Sequence, residues 1–180
     1  GGPADAYQPF PADERFERTA FDRAIAGAEG FGGLWPADAP AAARAMFGAF
    51  ERAGLLELAA GYLGEPPAIS VNKSLLRRVD PPPPGSGERP SAWHQDGAFL
   101  GPVRALNVWL ALSRCGDVAP GMDLVPRRLE SMAPAGTEGA AFDWSVSRAV
   151  AEAAAGDAGI VRPIFEPGDV LLFDELFLHA

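Results

Sequence analysis

Four consecutive prolines, Pro81 to Pro84, stand inside the run Asp80 to Pro90 with Gly85 and Gly87 close behind them. Proline fixes φ and has no N–H, so such a run enters neither a helix nor a β-ladder and has to be a stiff turn or loop. The chain changes character across it. Before it, Asp13 to Glu29 reads as a helix: Phe16, Ala20, Phe21 and Ala24 return at helical spacing, and Gly30, Gly32 and Gly33 end it. Ala41 to Ala60 reads as a second helix behind Pro40, with Met46, Phe47, Phe50, Leu55 and Leu58 on its apolar side, and Ala68 to Val79 as an early strand. After the prolines, Arg104 to Leu112, Met122 to Val125, Ile160 to Phe165 and Val170 to Phe173 read as strands.

Strands that dominate the C-terminal half behind N-terminal helices point to an all-β core, a barrel or sandwich with flanking helices, rather than to a Rossmann sheet. The Gly32-Gly33 pair lacks the spacing of a dinucleotide fingerprint. A chain of 180 residues fits one domain. We expect a helical flank over 1–60 and the barrel over 68–180. The Ala- and Gly-rich stretch 131–159 is expected as an insertion or lid, anchored by Trp144, Val146 and Val150 and with a short helix from Ala149 to Ala155.

The formal charge of −9 works against a polyanionic partner, so nucleic acid is not expected. The lone cysteine, Cys115, excludes an internal disulfide and a Cys-rich metal site, and fits a reducing cytoplasm. No membrane span or signal peptide is visible, and the Gly1-Gly2-Pro3 start suggests a trimmed or processed end. The expected partner is a small molecule; oligomeric state is not readable from the sequence.

The two histidines of the chain carry the chemistry. In Trp93-His94-Gln95-Asp96-Gly97 the His-x-Asp spacing puts imidazole and carboxylate on one side of an extended segment, within reach of one ion. A surface hydrogen-bonded pair has the same spacing. His179 follows another strand pattern far along the chain, where a barrel would bring it to the same mouth. Two neutral imidazoles and one carboxylate hold a divalent first-row metal from one side and leave the other open for oxygen and a chelating cosubstrate.

At these residues the sequence resembles the phytanoyl-CoA dioxygenase-like family of iron(II)- and 2-oxoglutarate-dependent oxygenases. The likeness runs through Trp93-His94-Gln95-Asp96-Gly97 with Phe99, Leu106-Asn107-Val108-Trp109-Leu110-Ala111-Leu112, and Phe165 to Asp174 leading to His179. It implies a double-stranded β-helix, the jelly-roll or cupin-like barrel, with His94, Asp96 and His179 as catalytic iron ligands. It further implies Fe(II) as cofactor, 2-oxoglutarate and O2 as cosubstrates, succinate and CO2 as products, and hydroxylation of a small or medium organic substrate. Trp109 falls at an aromatic position bordering the metal pocket, although a strand tryptophan also serves as core. Asn107, on the same strand face, is a candidate donor to the cosubstrate, or a plain polar residue at the barrel mouth.

The sequence also departs from that family. The arginine expected about ten residues after the second histidine, the bidentate partner of the distal 2-oxoglutarate carboxylate, would fall beyond residue 180, together with at least one more barrel strand. Arg104, Arg127 or Lys73 are the substitutes within the chain. Met122-Asp123-Leu124-Val125-Pro126-Arg127-Arg128 stands where relatives tend to have a Pro-Gly-Ser-His turn. Asp96 disfavours halogenation, which needs a small residue there. A noncatalytic cupin-like binding module and a metal-dependent isomerase or epimerase are the alternatives from other classes.

Overall fold

The computed structural model describes residues 31–34, 40–79, 92–100 and 103–180. The expected helix Asp13–Glu29 and the loop Pro81–Arg89 lie outside the described residues. The chain divides into two compact units, Gly1–Asp80 and Pro81–Ala180.

In the first unit, strand β1 (Phe31–Leu34) pairs antiparallel with β2 (Leu76–Val79), from Phe31 opposite Val79 to Leu34 opposite Leu76. The helix expected over 41–60 is two helices, α1 (Pro40–Arg52) and α2 (Leu55–Leu63). Gly54 divides them with φ of +72°, a left-handed conformation that costs a side-chain-bearing residue and ends the first helix. Phe47 and Phe50 still meet, ring centroids 6.3 Å apart, whereas Leu58 lies half exposed. The early strand is shorter than expected, because Val71–Lys73 is a 3₁₀ turn.

The second unit holds a short helix α3 (Gly97–Leu100), strands β3 (Leu106–Leu110) and β4 (Leu124–Arg128), helix α4 (Arg148–Ala155), and strands β5 (Val170–Asp174) and β6 (Phe177–His179). β3 pairs antiparallel with β5, Leu106 opposite Asp174 and Leu110 opposite Val170. β4 pairs antiparallel with β6. Only the turn at Glu175 and Leu176 separates β5 from β6, yet they belong to different sheets. The side chains of Arg128 in β4 and Asp174 in β5 form an ion pair between those sheets.

The expected all-β double-stranded β-helix, the jelly-roll or cupin-like barrel over 68–180, is not what forms. Among the described residues helices and strands are mixed, the strands make three two-stranded antiparallel sheets, and no sheet closes on itself. Two prolines supply part of the reason. Pro163 interrupts the stretch expected as a strand over 160–165, which pairs only through isolated bridges at Val161 and Phe165. Pro126 sits inside β4, whose ladder with β6 shifts register between Leu124 and Arg128. A residue without an N–H cannot continue a ladder on both sides, so pairing here stays local.

The principal core packs Trp93, Val125, Val146 and Leu178 against Ala151 and Ala155 of α4. Alanine at 151 and 155, one helical turn apart, presents a small-residue face that lets the helix backbone come close to the sheet. Ser147 caps that helix by accepting a hydrogen bond from the Val150 N–H. Two smaller clusters, around Ala111, Cys115 and Phe165 and around Met122, Leu124 and Phe173, share Trp109 and Leu171 at their margins.

Candidate metal centre

Backbone pairing puts the two histidines side by side. His94 and His179 form an antiparallel bridge, the N–H of each donating to the carbonyl of the other at 2.8 and 3.0 Å. On its far side His179 is opposite Leu124, which in turn bridges Val161. Directly opposed residues project to the same face of a sheet, and neighbours in sequence project to opposite faces. Trp93 and Leu178 therefore enter the principal core while the next residue of each segment, His94 and His179, turns to the other side.

Asp96 arrives by a different route from the extended one expected. The chain leaves the extended conformation after His94, and the Asp96 carbonyl accepts from the N–H groups of Phe99 and Leu100, opening α3. The Gly97 N–H donates to the Glu175 carbonyl at 2.9 Å, tying this turn to the one that precedes β6. A side chain at 97 would be blocked: a Cβ there would stand 2.8 Å from the Met132 sulfur and 3.0 Å from the Glu175 carbonyl oxygen.

His94, Asp96 and His179 each offer one ligand atom, and these atoms all lie within 4.8 Å of one another. The Nε2 of His94 is 3.5 Å from Asp96 Oδ1, and the imidazole centroids are 4.4 Å apart. Both rings use Nδ1 in the same way, His94 toward the Ala92 carbonyl at 2.7 Å and His179 toward the Phe177 carbonyl at 3.0 Å. A carbonyl only accepts, so each Nδ1 carries a proton, and in the neutral ring the lone pair is then on Nε2. Hydrogen bonds of this kind orient metal-binding histidines and fix their tautomer.

Burial sharpens the effect at His179, which is 5% exposed. Desolvation pushes its imidazole pKa from 6.5 down to about 4, His94 adds to the lowering, and Asp96 and the Phe177 carbonyl oppose it. At neutral pH His179 is an uncharged donor. The side chains of His94 and Asp96 are 22% and 24% exposed, so the cluster is closed on the His179 side and open on theirs. Two imidazole nitrogens and one carboxylate oxygen suit a divalent first-row metal held on one side, with room for further ligands opposite.

The other residues singled out from sequence are dispersed. Asn107 and Trp109 lie on β3 opposite Phe173 and Leu171 of β5, and the Phe173 ring is 4.6 Å from that of His179. Trp109 packs on Phe165 at 4.6 Å and belongs to the apolar interior. Asn107 Nδ2 is a buried N–H donor with no hydrogen-bond acceptor among the described residues. Arg104 is exposed at the entry to β3, Arg127 is exposed on β4, and Lys73 is exposed in the first unit. Asp169 accepts from the Glu166 N–H at 2.7 Å in the turn before β5.

Gln95, between the two ligands of the His-x-Asp pair, is buried and clamps two other segments. Its Nε2 donates to the Leu176 carbonyl at 2.7 Å and to the Ser131 carbonyl at 3.2 Å, and its Oε1 accepts from the Ala133 N–H at 2.7 Å. Two aromatic neighbours of His94 complete the surroundings: Trp144 at 5.5 Å and Phe99 at 5.8 Å, both edge-on. Phe142, stacked on Trp144 at 4.9 Å, was not read from the sequence. Its one sequence signal is the Phe-x-Trp pair inside an otherwise Ala- and Gly-rich stretch.

No protein-family model, curated protein or solved structure matches this chain. The site itself therefore carries the functional conclusion: a His94, Asp96 and His179 cluster consistent with metal binding in an enzyme active site.

Proposed function

We propose that the chain is a non-heme iron(II) oxygenase that consumes 2-oxoglutarate and O2 and hydroxylates a small or medium organic substrate, releasing succinate and CO2. The observation that carries this reading is the convergence of two Nε2 lone pairs and one carboxylate within 4.8 Å, with both histidine tautomers fixed by backbone carbonyls. The resemblance of the 93–97, 106–112 and 165–179 segments to the phytanoyl-CoA dioxygenase-like family supports it, without implying that family's named substrate.

When bound, iron supplies the activation of oxygen and the oxidative decarboxylation of the 2-oxo acid. The protein's part is positioning and charge. His179 and His94 give neutral donors, and Asp96 gives one negative charge, so a bound divalent ion retains net positive charge toward an anionic chelator. Asn107 offers its buried N–H to an oxygen of that chelator. Arg104 is the cation we assign to the distal carboxylate. Ala105, the next residue, donates its N–H to Glu175 Oε2 at 3.4 Å, and the Glu175 carbonyl also holds Gly97.

Anaerobic titration with iron(II) and then 2-oxoglutarate tests the proposal through the weak visible charge-transfer band of a chelated 2-oxo acid. The band should form with the wild-type chain and be lost in His94→Ala. Iron binding without the band would refute the cosubstrate assignment and favour a nonoxidative metal-dependent enzyme such as an isomerase. No iron binding would refute the metal centre.

A further inference from the structure

The open side of the cluster is bordered by aromatic rings. Trp144 lies edge-on to His94, its ring at 90° to the imidazole, and also meets Phe99 at 5.2 Å and 65°. Phe142 stacks on Trp144 with ring planes 5° apart. The rings thus form a continuous series from the ligand His94 outward, and Phe99 and Phe142 are each 42% exposed. Met132, also substantially exposed, sits against Gly97.

This surface is built rather than loosely placed. Ser145 is fully buried and closes a tight turn on Phe142: its Oγ accepts from the Phe142 N–H at 2.9 Å and donates to the Phe142 carbonyl at 3.0 Å. Val146 then donates its N–H to the Trp93 carbonyl at 2.8 Å, immediately before His94. Helix α4, capped by the next residue, Ser147, packs into the same core as Trp93. Large apolar side chains held exposed by a buried polar turn, beside a cluster open on the same side, have the features of a recognition surface.

We propose that Phe99, Trp144 and Phe142 form a preorganised shelf for the uncharged, ring-bearing part of the substrate, so that the metal centre acts on a compact hydrophobic molecule. The parallel Phe142 and Trp144 rings suit a flat partner, since offset stacking and edge contact are the favoured aromatic geometries. A phosphorylated ring such as a nucleotide is disfavoured by the chain's charge of −9. This inference rests on the metal-centre reading above for the chemistry it serves.

The test uses the whole chain with 2-naphthol as a neutral flat probe, glucose as a hydrophilic control and cobalt(II) as a coloured metal. Naphthol should bind the wild type, glucose should not, and naphthol should perturb the visible cobalt spectrum because the shelf touches His94. Removing both exposed rings in Phe99→Ala/Phe142→Ala should weaken naphthol binding by about tenfold or more while cobalt uptake persists. Phe142→Leu, which keeps bulk without a ring, should fall between. Equal naphthol affinity in wild type and the double variant, no naphthol binding, or bound naphthol that leaves the cobalt spectrum unchanged would overturn the proposal. Cobalt uptake reports the metal centre and naphthol binding to the metal-free chain reports the shelf, so failure of one is distinguishable from failure of the other.

Discussion

Replacing Gln95 with leucine, which has nearly the same size and no polar atoms, should destabilise the second unit and loosen the candidate metal centre together. The wild-type side chain satisfies three backbone groups: the Leu176 carbonyl, the Ser131 carbonyl and the Ala133 N–H. Ser131 is exposed, so its carbonyl regains water and contributes little; Leu176 and Ala133 are half-buried and are left short of a partner. An unsatisfied buried group costs about 1–3 kcal/mol, so the two together give roughly 2–6 kcal/mol, partly offset by the better transfer energy of leucine. A net loss of about 3 kcal/mol, divided by a urea dependence of about 2 kcal/mol per molar, lowers the unfolding midpoint by roughly 1–2 M. Amide hydrogen exchange supplies the local readout: the Ala133 N–H should exchange faster in the variant. Because Gln95 separates the two ligands and holds the turn before β6, iron(II) affinity should fall about 10–100-fold, as it does when groups supporting metal ligands are removed. An unchanged urea midpoint with an unchanged Ala133 exchange rate would refute the reasoning.

In the metal-free chain, stability should decline as pH falls from 6.5 toward 4. The depressed His179 pKa means that the unfolded chain takes up a proton the folded chain refuses, a linkage of about 3 kcal/mol fully present above pH 6.5. Urea unfolding at pH 7.5 and 4.5 should show a smaller difference in His179→Gln than in the wild type, and equal differences would refute the assignment. Gly116→Ala should unfold or strongly destabilise the second unit, by 3 kcal/mol or more on the scale of strained-backbone and overpacking costs, roughly. Gly116 has φ of +102°, and a Cβ there would stand 2.1 Å from the Pro163 carbonyl oxygen; a soluble variant with an unchanged midpoint would contradict this. Arg162→Met should cost about 1–3 kcal/mol, since the buried Asp123 carboxylate loses hydrogen bonds of 2.5 and 2.7 Å from a partly exposed guanidinium. Thermal unfolding of that variant beside Asp123→Asn/Arg162→Met checks it, and the double variant should recover part of the loss.

The triad was legible because the chain has two histidines and one of them stands two residues from an aspartate. The strand over 170–173 and the helix over 149–155 were also readable, the first from a continuous apolar run and the second from alanines between Ser147 and Gly156. What misled was the assumption that every apolar run extends a common sheet. Ile160 to Phe165 is rich in apolar residues but contains Pro163, and its pairing shrinks to two bridges; Asp96, expected on an extended segment, opens a helical turn instead. A structural role for Gln95 followed from alternation, but the groups it holds were not readable. Its partners are backbone groups about 36–38 and 81 residues away, and backbone groups carry no residue-type signal.

Core and site are coupled through a single choice of register. Trp93 and Leu178 face the interior while His94 and His179 face each other across the bridge, so the burial of the first pair fixes the orientation of the second. A one-residue slip of β6 would present Leu178 to His94 and drive an imidazole into the apolar cluster, losing roughly 2 kcal/mol or more of leucine burial as well as the ligand set. Hydrophobic burial thus selects the arrangement, and the donor set follows from alternation. The cost of bringing the two imidazoles together is offset by the core on the opposite face of the same strands.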